Sequence, residues 1–309
     1  MQGLKNSLLL VLKGISMGAA DVVPGVSGGT IALITGVYEE LIHSLKSINV
    51  NSLSLLLKLK LRDFWKTING NFLLLLFGGV LISVFSLSRL LKFLLHNYPV
   101  LIWSFFLGLI LASAIIVAKR IKDWDASRAL ALAAGIMAMY FITRFTPAET
   151  TEAYWFVFIS GAIAICAMIL PGISGAFILL ILGKYQFILG AVADMDLIVL
   201  LVFGLGIISG LLSFSRILSY LLSKYHDHTI AVLTGFIIGS LNKIWPWKEI
   251  ISSRLNSHGE YIPLVEKNIL PWRYNEITSG NPYLLYSLIL IISGVLAVIL
   301  LDKLGRKAK

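Results

Sequence analysis

The sequence predicts an all-α polytopic membrane protein: an inverted repeat of two five-segment halves, each holding a broken, re-entrant helix hairpin. Three observations carry this expectation. First, 58% of the 309 residues are hydrophobic and 14% charged, with a mean hydropathy of +0.88; soluble domains carry roughly 25% charged residues. Second, the apolar residues fall into ten helix-compatible stretches. Third, Asp21-Val22-Val23-Pro24-Gly25-Val26-Ser27-Gly28-Gly29-Thr30 returns in degenerate form at Leu170-Pro171-Gly172-Ile173-Ser174-Gly175-Ala176.

In chain order the apolar stretches run approximately 4–20, 28–44, 71–96, 99–118, 128–145, 153–169, 175–193, 196–222, 229–245 and 282–301. A backbone in lipid must satisfy its polar groups internally, so helices are the expected solution. Proline removes an amide donor and clashes with the preceding turn, and glycine admits almost any dihedral angle, so Pro24-Gly25 and Pro171-Gly172 each interrupt helix. The stretches flanking these breaks are short for roughly 30 Å of hydrocarbon, which suits hairpins that re-enter rather than cross.

The loops set the orientation. Residues 45–70 carry Lys46, Lys58, Lys60, Arg62 and Lys66 against Asp63; residues 119–128 carry Lys119, Arg120, Lys122 and Arg128; the tail carries Lys303, Arg306, Lys307 and Lys309. The opposite side receives Glu149, Glu152, Asp194 and Asp196. The positive-inside bias therefore puts both termini in the cytoplasm. The segment 246–281, mixed in charge and rich in Trp, Pro and Asn, falls outside as a long loop; Lys243, Lys248, Arg254, Lys267 and Arg273 are many positives for that side, diluted by Glu249, Glu260 and Glu266. The net charge of +10 is accounted for by these loops and does not point to nucleic acid. Cys166 has no second cysteine with which to pair, and neither a metal nor a cofactor is indicated. The N-terminal Leu-rich run between Lys5 and Lys13 lacks a small-residue cleavage pattern and is kept as mature protein.

The repeat extends beyond the motif. At a shift of 127 residues Ser88-Arg89-Leu90-Leu91 falls on Ser215-Arg216-Ile217-Leu218, and Tyr98, Gly108 and Ser113 fall on Tyr225, Gly235 and Ser240. The motif itself aligns at a shift of 147, with Pro24 on Pro171, Gly36 on Gly183 and Tyr38 on Tyr185. The basic loop 45–70 absorbs the difference. Halves 1–145 and 146–309 then hold five segments each, an odd number that inverts one relative to the other, as in secondary transporters whose broken helices meet near the midplane.

A helix restarting after Pro-Gly presents unpaired amides and the positive end of its dipole. Ser27, Thr30 and Ser174 add hydroxyls, and Gly25, Gly28, Gly29, Gly172 and Gly175 permit close backbone approach, the elements of an anion site. The same glycines also serve close helix packing or the hairpin turn. Arg89 and Arg216 are costly within membrane segments, and their forks suit phosphate, although each lies near enough to a segment end to reach an interface. Asp21, Glu39 and Glu40 are the acids nearest the first motif; a carboxylate there would couple transport to a proton or cation, or neutralise an arginine.

These residues resemble a known family, the bacterial polyprenyl-phosphate (undecaprenyl phosphate) translocases of the PopT type. The resemblance rests on Gly18-Ala19-Ala20-Asp21-Val22-Val23-Pro24-Gly25-Val26-Ser27-Gly28-Gly29-Thr30, on Ile34-Thr35-Gly36-Val37-Tyr38-Glu39 and on Leu170-Pro171-Gly172-Ile173-Ser174-Gly175. It implies a bacterial cytoplasmic-membrane protein that returns undecaprenyl phosphate, the lipid carrier of cell-wall precursors, to the cytoplasmic leaflet without acting as an enzyme. Two other readings stay open: a secondary transporter of a soluble anion, and a membrane polyprenyl-diphosphate phosphatase. The phosphatase needs a nucleophile and base or metal-binding carboxylates at the breaks, and the motifs hold no histidine.

Overall fold

The computed structural model describes residues 2–23, 26–145, 150–255 and 261–306. Helix α1 (Gln2–Asp21) leads into the first broken stretch, which forms α2 (Gly28–Ile34) and α3 (Tyr38–Lys46). The split falls at Gly36, whose φ of 74° is a left-handed conformation that glycine adopts without penalty. The second broken stretch repeats this: α9 (Tyr154–Ile169) is followed by α10 (Gly175–Ile181) and α11 (Tyr185–Ala193), with Gly183 at φ 65° between the last two. The axes of α10 and α11 are bent by 110°.

The basic loop 45–70 is itself helical, as α4 (Val50–Leu57) and α5 (Leu61–Thr67). Asn49 starts α4 by accepting from the amides of Asn51 and Ser52, while Ser52 returns a bond to the Asn49 backbone, the reciprocal cap that favours a helix start. Long helices follow: α6 (Gly70–Asn97), α7 (Pro99–Ala118) and α8 (Ala126–Arg144) in the first half, α12 (Leu197–Lys224) and α13 (His226–Ile244) in the second. Pro99 sits at the first position of α7, and Asp125 and Asp196 cap α8 and α12. The chain ends in α14 (Tyr274–Thr278) and α15 (Leu284–Arg306). Among the described residues five helices, α6, α7, α8, α12 and α15, are long and apolar enough to cross a membrane, and the bent α10–α11 pair makes a sixth if it is one span. This is a multi-pass membrane protein.

One segment departs from the all-α expectation. Residues 246–281 include an antiparallel hairpin, β1 (Lys248–Leu255) and β2 (Tyr261–Asn268), with Lys248 opposite Asn268. Its polar, interrupted sequence has no continuous apolar run to hold in lipid, and it docks on one end of the bundle instead. Trp247 and Ile269 pack with Val100 of α7, Trp247 Nε1 donates to Pro282 O at 2.9 Å, and Trp245 Nε1 to Ile269 O at 2.9 Å.

The main helix pairs are α1 on α6, α9 on α12, α7 on α15 and α8 on α13. The close approaches recur at equivalent residues. A Cβ on Gly14 would lie 2.1 Å from Leu76 O, and one on Gly161 2.5 Å from Phe203 O. A Cβ on Gly108 would lie 2.0 Å from Ile291 O, and one on Gly235 2.4 Å from Leu132 O. Small residues at these crossings let backbones touch, the main source of attraction between helices in lipid. At the centre α7 packs against α13. They run antiparallel: Val100, at the start of α7, lies beside Trp247, just past the end of α13. The central core gathers Ile31, Leu33 and Ile34 of α2 with Ile110 of α7 and Ile230 and Ile237 of α13.

Candidate functional site

The two breaks meet. Ser27 Oγ donates to Leu170 O at 3.1 Å, and the amide of Gly172 donates to Thr30 Oγ1 at 3.0 Å. Gly29 sits against the end of α9, where an added Cβ would lie 2.6 Å from Ile169 O. Ser27, Gly28, Gly29 and Thr30 are buried, as are Pro171, Gly172, Ser174 and Gly175. Residues more than 140 apart in sequence are thus joined through the two copies of the motif. Pro24 and Gly25 lie outside the described residues.

The amides at the start of α2, which the sequence reading leaves unpaired, are satisfied internally. Gly28 N donates to Asp21 Oδ1 at 2.7 Å, Gly29 N to Ser27 Oγ at 3.1 Å and Thr30 N to Ser27 O at 2.9 Å. The physical reason is local: α1 ends at Asp21, so its carboxylate reaches back over the restart and supplies the anion that a helix start favours. Ser174 at the start of α10 makes no such side-chain cap, and residue 168, matching Asp21, is Met168. The two helix restarts, at Ser27 and Ser174, differ in their caps and in charge.

The other end of α2 is held by cations. Lys13 Nζ donates to Thr35 O at 3.0 Å and Arg120 Nη2 to Ile34 O at 2.7 Å, meeting the negative end of the helix dipole. Beside them a cavity of about 390 Å³ is lined by Gly36, Tyr38, Glu39, Glu40, His43 and Arg120. Glu39 reaches out of it to His226 Nε2 at 3.2 Å, and His226 Nδ1 is 3.1 Å from Asp227 Oδ1. Tyr38 is buried, and its hydroxyl has no hydrogen-bond partner among the described residues. Lys13, His43 and Arg120 form with Glu39 a polar end to the first hairpin; only the acid is conspicuous in sequence beforehand, because the others look like loop or interfacial residues.

Arg89 and Arg216 are exposed on α6 and α12, and no hydrogen bond or ion pair engages either among the described residues. Neither takes part in the contact between the breaks. The second hairpin holds a cation that sequence reasoning missed. Lys184, 2% exposed, donates to Thr150 O at 3.0 Å and lies 5.7 Å and 5.3 Å from the ring centres of Phe156 and Phe187. Its signal is the loss of symmetry: the matching position is Val37.

Segment 246–281 balances four basic residues with four acidic ones, and one of its acids holds two lysines at once. Glu266 accepts from Lys243 at 2.7 Å and from Lys248 at 3.2 Å, while Lys248 also lies 4.8 Å from the Trp103 ring centre. Burial pushes the Lys248 ammonium down to about 8, against the pull of Glu266. The folded protein therefore releases this proton between about 8 and 10.5 while the unfolded chain keeps it, so stability rises with pH through that window. Below it the cost of the buried charge is fully present. Thermal melts from pH 7.5 to 10 are expected to show that rise, and Lys248→Met is expected to flatten it.

Comparison with known proteins adds an independent result. A family model described as undecaprenyl phosphate translocase-like matches residues 17–262. A polyprenyl-phosphate transporter from Vibrio cholerae serotype O1 is 49% identical over 302 residues, which is 98% of each chain. A polyprenyl-phosphate transporter from Staphylococcus aureus is 33% identical over 255 residues, covering 76% of this chain and 85% of the relative. No solved structure matches.

Proposed function

The chain belongs to the undecaprenyl phosphate translocase-like family, and from that premise we propose that it carries a polyprenyl phosphate across the bacterial cytoplasmic membrane, returning the carrier lipid to the cytoplasmic leaflet. The head group passes between the two breaks while the prenyl tail stays in lipid. No bond is made or broken.

The observation that carries this reading is the direct bonding of Ser27 to Leu170 and of Gly172 to Thr30. A path between the breaks is closed while these bonds hold, and a small rocking of the halves opens it. Halves 1–145 and 146–309 act as inverted units, a reading supported by the antiparallel α7 and α13 and by the glycine contacts that recur at equivalent positions. With basic loops and both termini in the cytoplasm, the cavity beside Tyr38, His43 and Arg120 faces the cytoplasmic leaflet, and the Lys243–Glu266–Lys248 cluster faces outside. A phosphate released inward meets the Arg120 side of that cavity. Glu39, paired with His226, is the carboxylate placed to exchange a coupling proton or cation. Arg89 and Arg216 draw the head group towards the breaks from opposite leaflets, since both keep unengaged guanidinium forks on helices bordering the motifs.

Labelled undecaprenyl phosphate followed between leaflets of proteoliposomes tests this. Wild type is expected to speed exchange over protein-free vesicles, and Arg89→Ala with Arg216→Ala to slow it at least about tenfold, the effect of losing one charge-assisted bond. Wild-type rates in that double variant would remove the arginines from the mechanism.

A further inference from the structure

We propose that α4 and α5 form a platform that lies flat on the membrane surface and binds anionic phospholipid head groups on the side of the basic loops. The first observation is exposure. Val50 is 81%, Leu57 86% and Leu61 60% exposed, and Leu53 and Trp65 are exposed with them. No other element of the described protein covers Val50, Leu53, Leu57 or Leu61, and Trp65 keeps part of its ring free beside the start of α6. The second is charge: Lys58, Lys60, Arg62 and Lys66 crowd the same short segment with only Asp63 opposed, and all five are exposed. Apolar side chains interspersed with lysine and arginine fit the boundary between acyl chains and negative head groups.

The third observation is tethering. Only Ile68 and Asn69 separate α5 from α6, whose apolar window begins at Gly70, and only three residues separate α3 from α4. Two residues reach no further than about 10 Å, so α5 cannot leave the membrane boundary. Trp65 fixes the joint: its Nε1 donates to Asn71 Oδ1 at 2.8 Å, and its ring lies where a Cβ on Gly70 would fall. The equivalent connection in the other half is the short acidic turn Asp194-Met195-Asp196 between α11 and α12. One end of the molecule therefore has the platform and the other has none. The occupant is the anionic leaflet itself, since a neutral one leaves four cations without counter-charge and a water-facing platform leaves the leucines wet.

The full-length protein would be reconstituted in vesicles of phosphatidylcholine with phosphatidylglycerol, with bromine on the acyl chains of one lipid or the other. The Trp65 fluorescence is isolated as the difference between wild type and Trp65→Phe. Quenching by both brominated lipids is expected, about twofold stronger when bromine is on phosphatidylglycerol. High salt and the variant K58Q/K60Q/R62Q/K66Q are expected to abolish the preference while leaving the quenching. A Trp65 signal unquenched by either lipid would overturn the proposal, as would a preference that survives loss of the four charges. Burial of this face against a second copy would show as an unquenched Trp65 in a protein of doubled mass. Lipid translocation is read separately, so failure here leaves the transport reading untouched.

Discussion

Replacing Gly29 with valine is expected to slow polyprenyl-phosphate translocation by at least about tenfold. Gly29 is buried where the first break presses on the end of α9, and a Cβ there would lie 2.6 Å from Ile169 O, a backbone atom with no rotamer to yield. The branched side chain can be housed only by holding the breaks apart, so the bonds of Ser27 to Leu170 and Gly172 to Thr30 cannot re-form behind a lipid that has passed, and the alternation stalls. Overpacking of this kind costs about 1–3 kcal/mol, and 1.4 kcal/mol is a factor of ten in rate or population. The measurement is leaflet exchange of labelled lipid, with size-exclusion and thermal melting to show that the variant still folds. A folded Gly29→Val protein transporting at the normal rate would mean that the contact between the breaks lies off the path.

Gly172→Ala is expected to destabilise the protein by about 2 kcal/mol or more. Gly172 holds φ at +85°, and a Cβ would lie 2.8 Å from Phe236 O. The left-handed backbone costs a residue with a Cβ about 1–2 kcal/mol, and the close approach to α13 adds to it. Gly190 supplies the contrast: it lies within α11, and a Cβ there meets open space. Gly190→Ala is therefore expected to be neutral or to stabilise by up to about 1 kcal/mol. Melting temperatures in detergent decide the matter, and equal values for the two variants would contradict the strain assigned to Gly172.

The helical architecture was legible because lipid leaves a chain few options. The apolar stretch 99–118 coincides with α7, whereas 28–44 and 175–193, each read as one stretch, are divided at Gly36 and Gly183, where glycine takes the positive φ. The correspondence of Gly108 with Gly235 was legible too, and each sits where a second helix backbone approaches closely. The hairpin of residues 248–268 was not, because its strands are held by pairing and by Trp245 and Trp247 on the bundle end rather than by an apolar period. Helices α4 and α5 read as a basic loop because their caps and exposed leucines are local signals without a buried face.

The candidate site divides in the same way. That the two motifs meet was expected from their pairing, although Thr30 and Leu170, which make the contact, are matched by Phe177 and Val23 in the other copy. What escaped was that Asp21 satisfies the amide of Gly28, because which donor a nearby carboxylate reaches depends on the angle at which α1 ends. Lys184 and Arg120 escaped because their roles depend on rings and carbonyls distant in sequence.

The central claim is that the two breaks separate for each lipid that passes. It is tested most directly by a Ser27→Cys/Leu170→Cys variant in a Cys166→Ser background, the free thiol being Cys166, reconstituted and assayed for leaflet exchange of labelled polyprenyl phosphate before and after oxidation. The account predicts exchange in the reduced protein, arrest when the two cysteines are joined, and recovery on reduction. Undiminished exchange by fully cross-linked protein would contradict it.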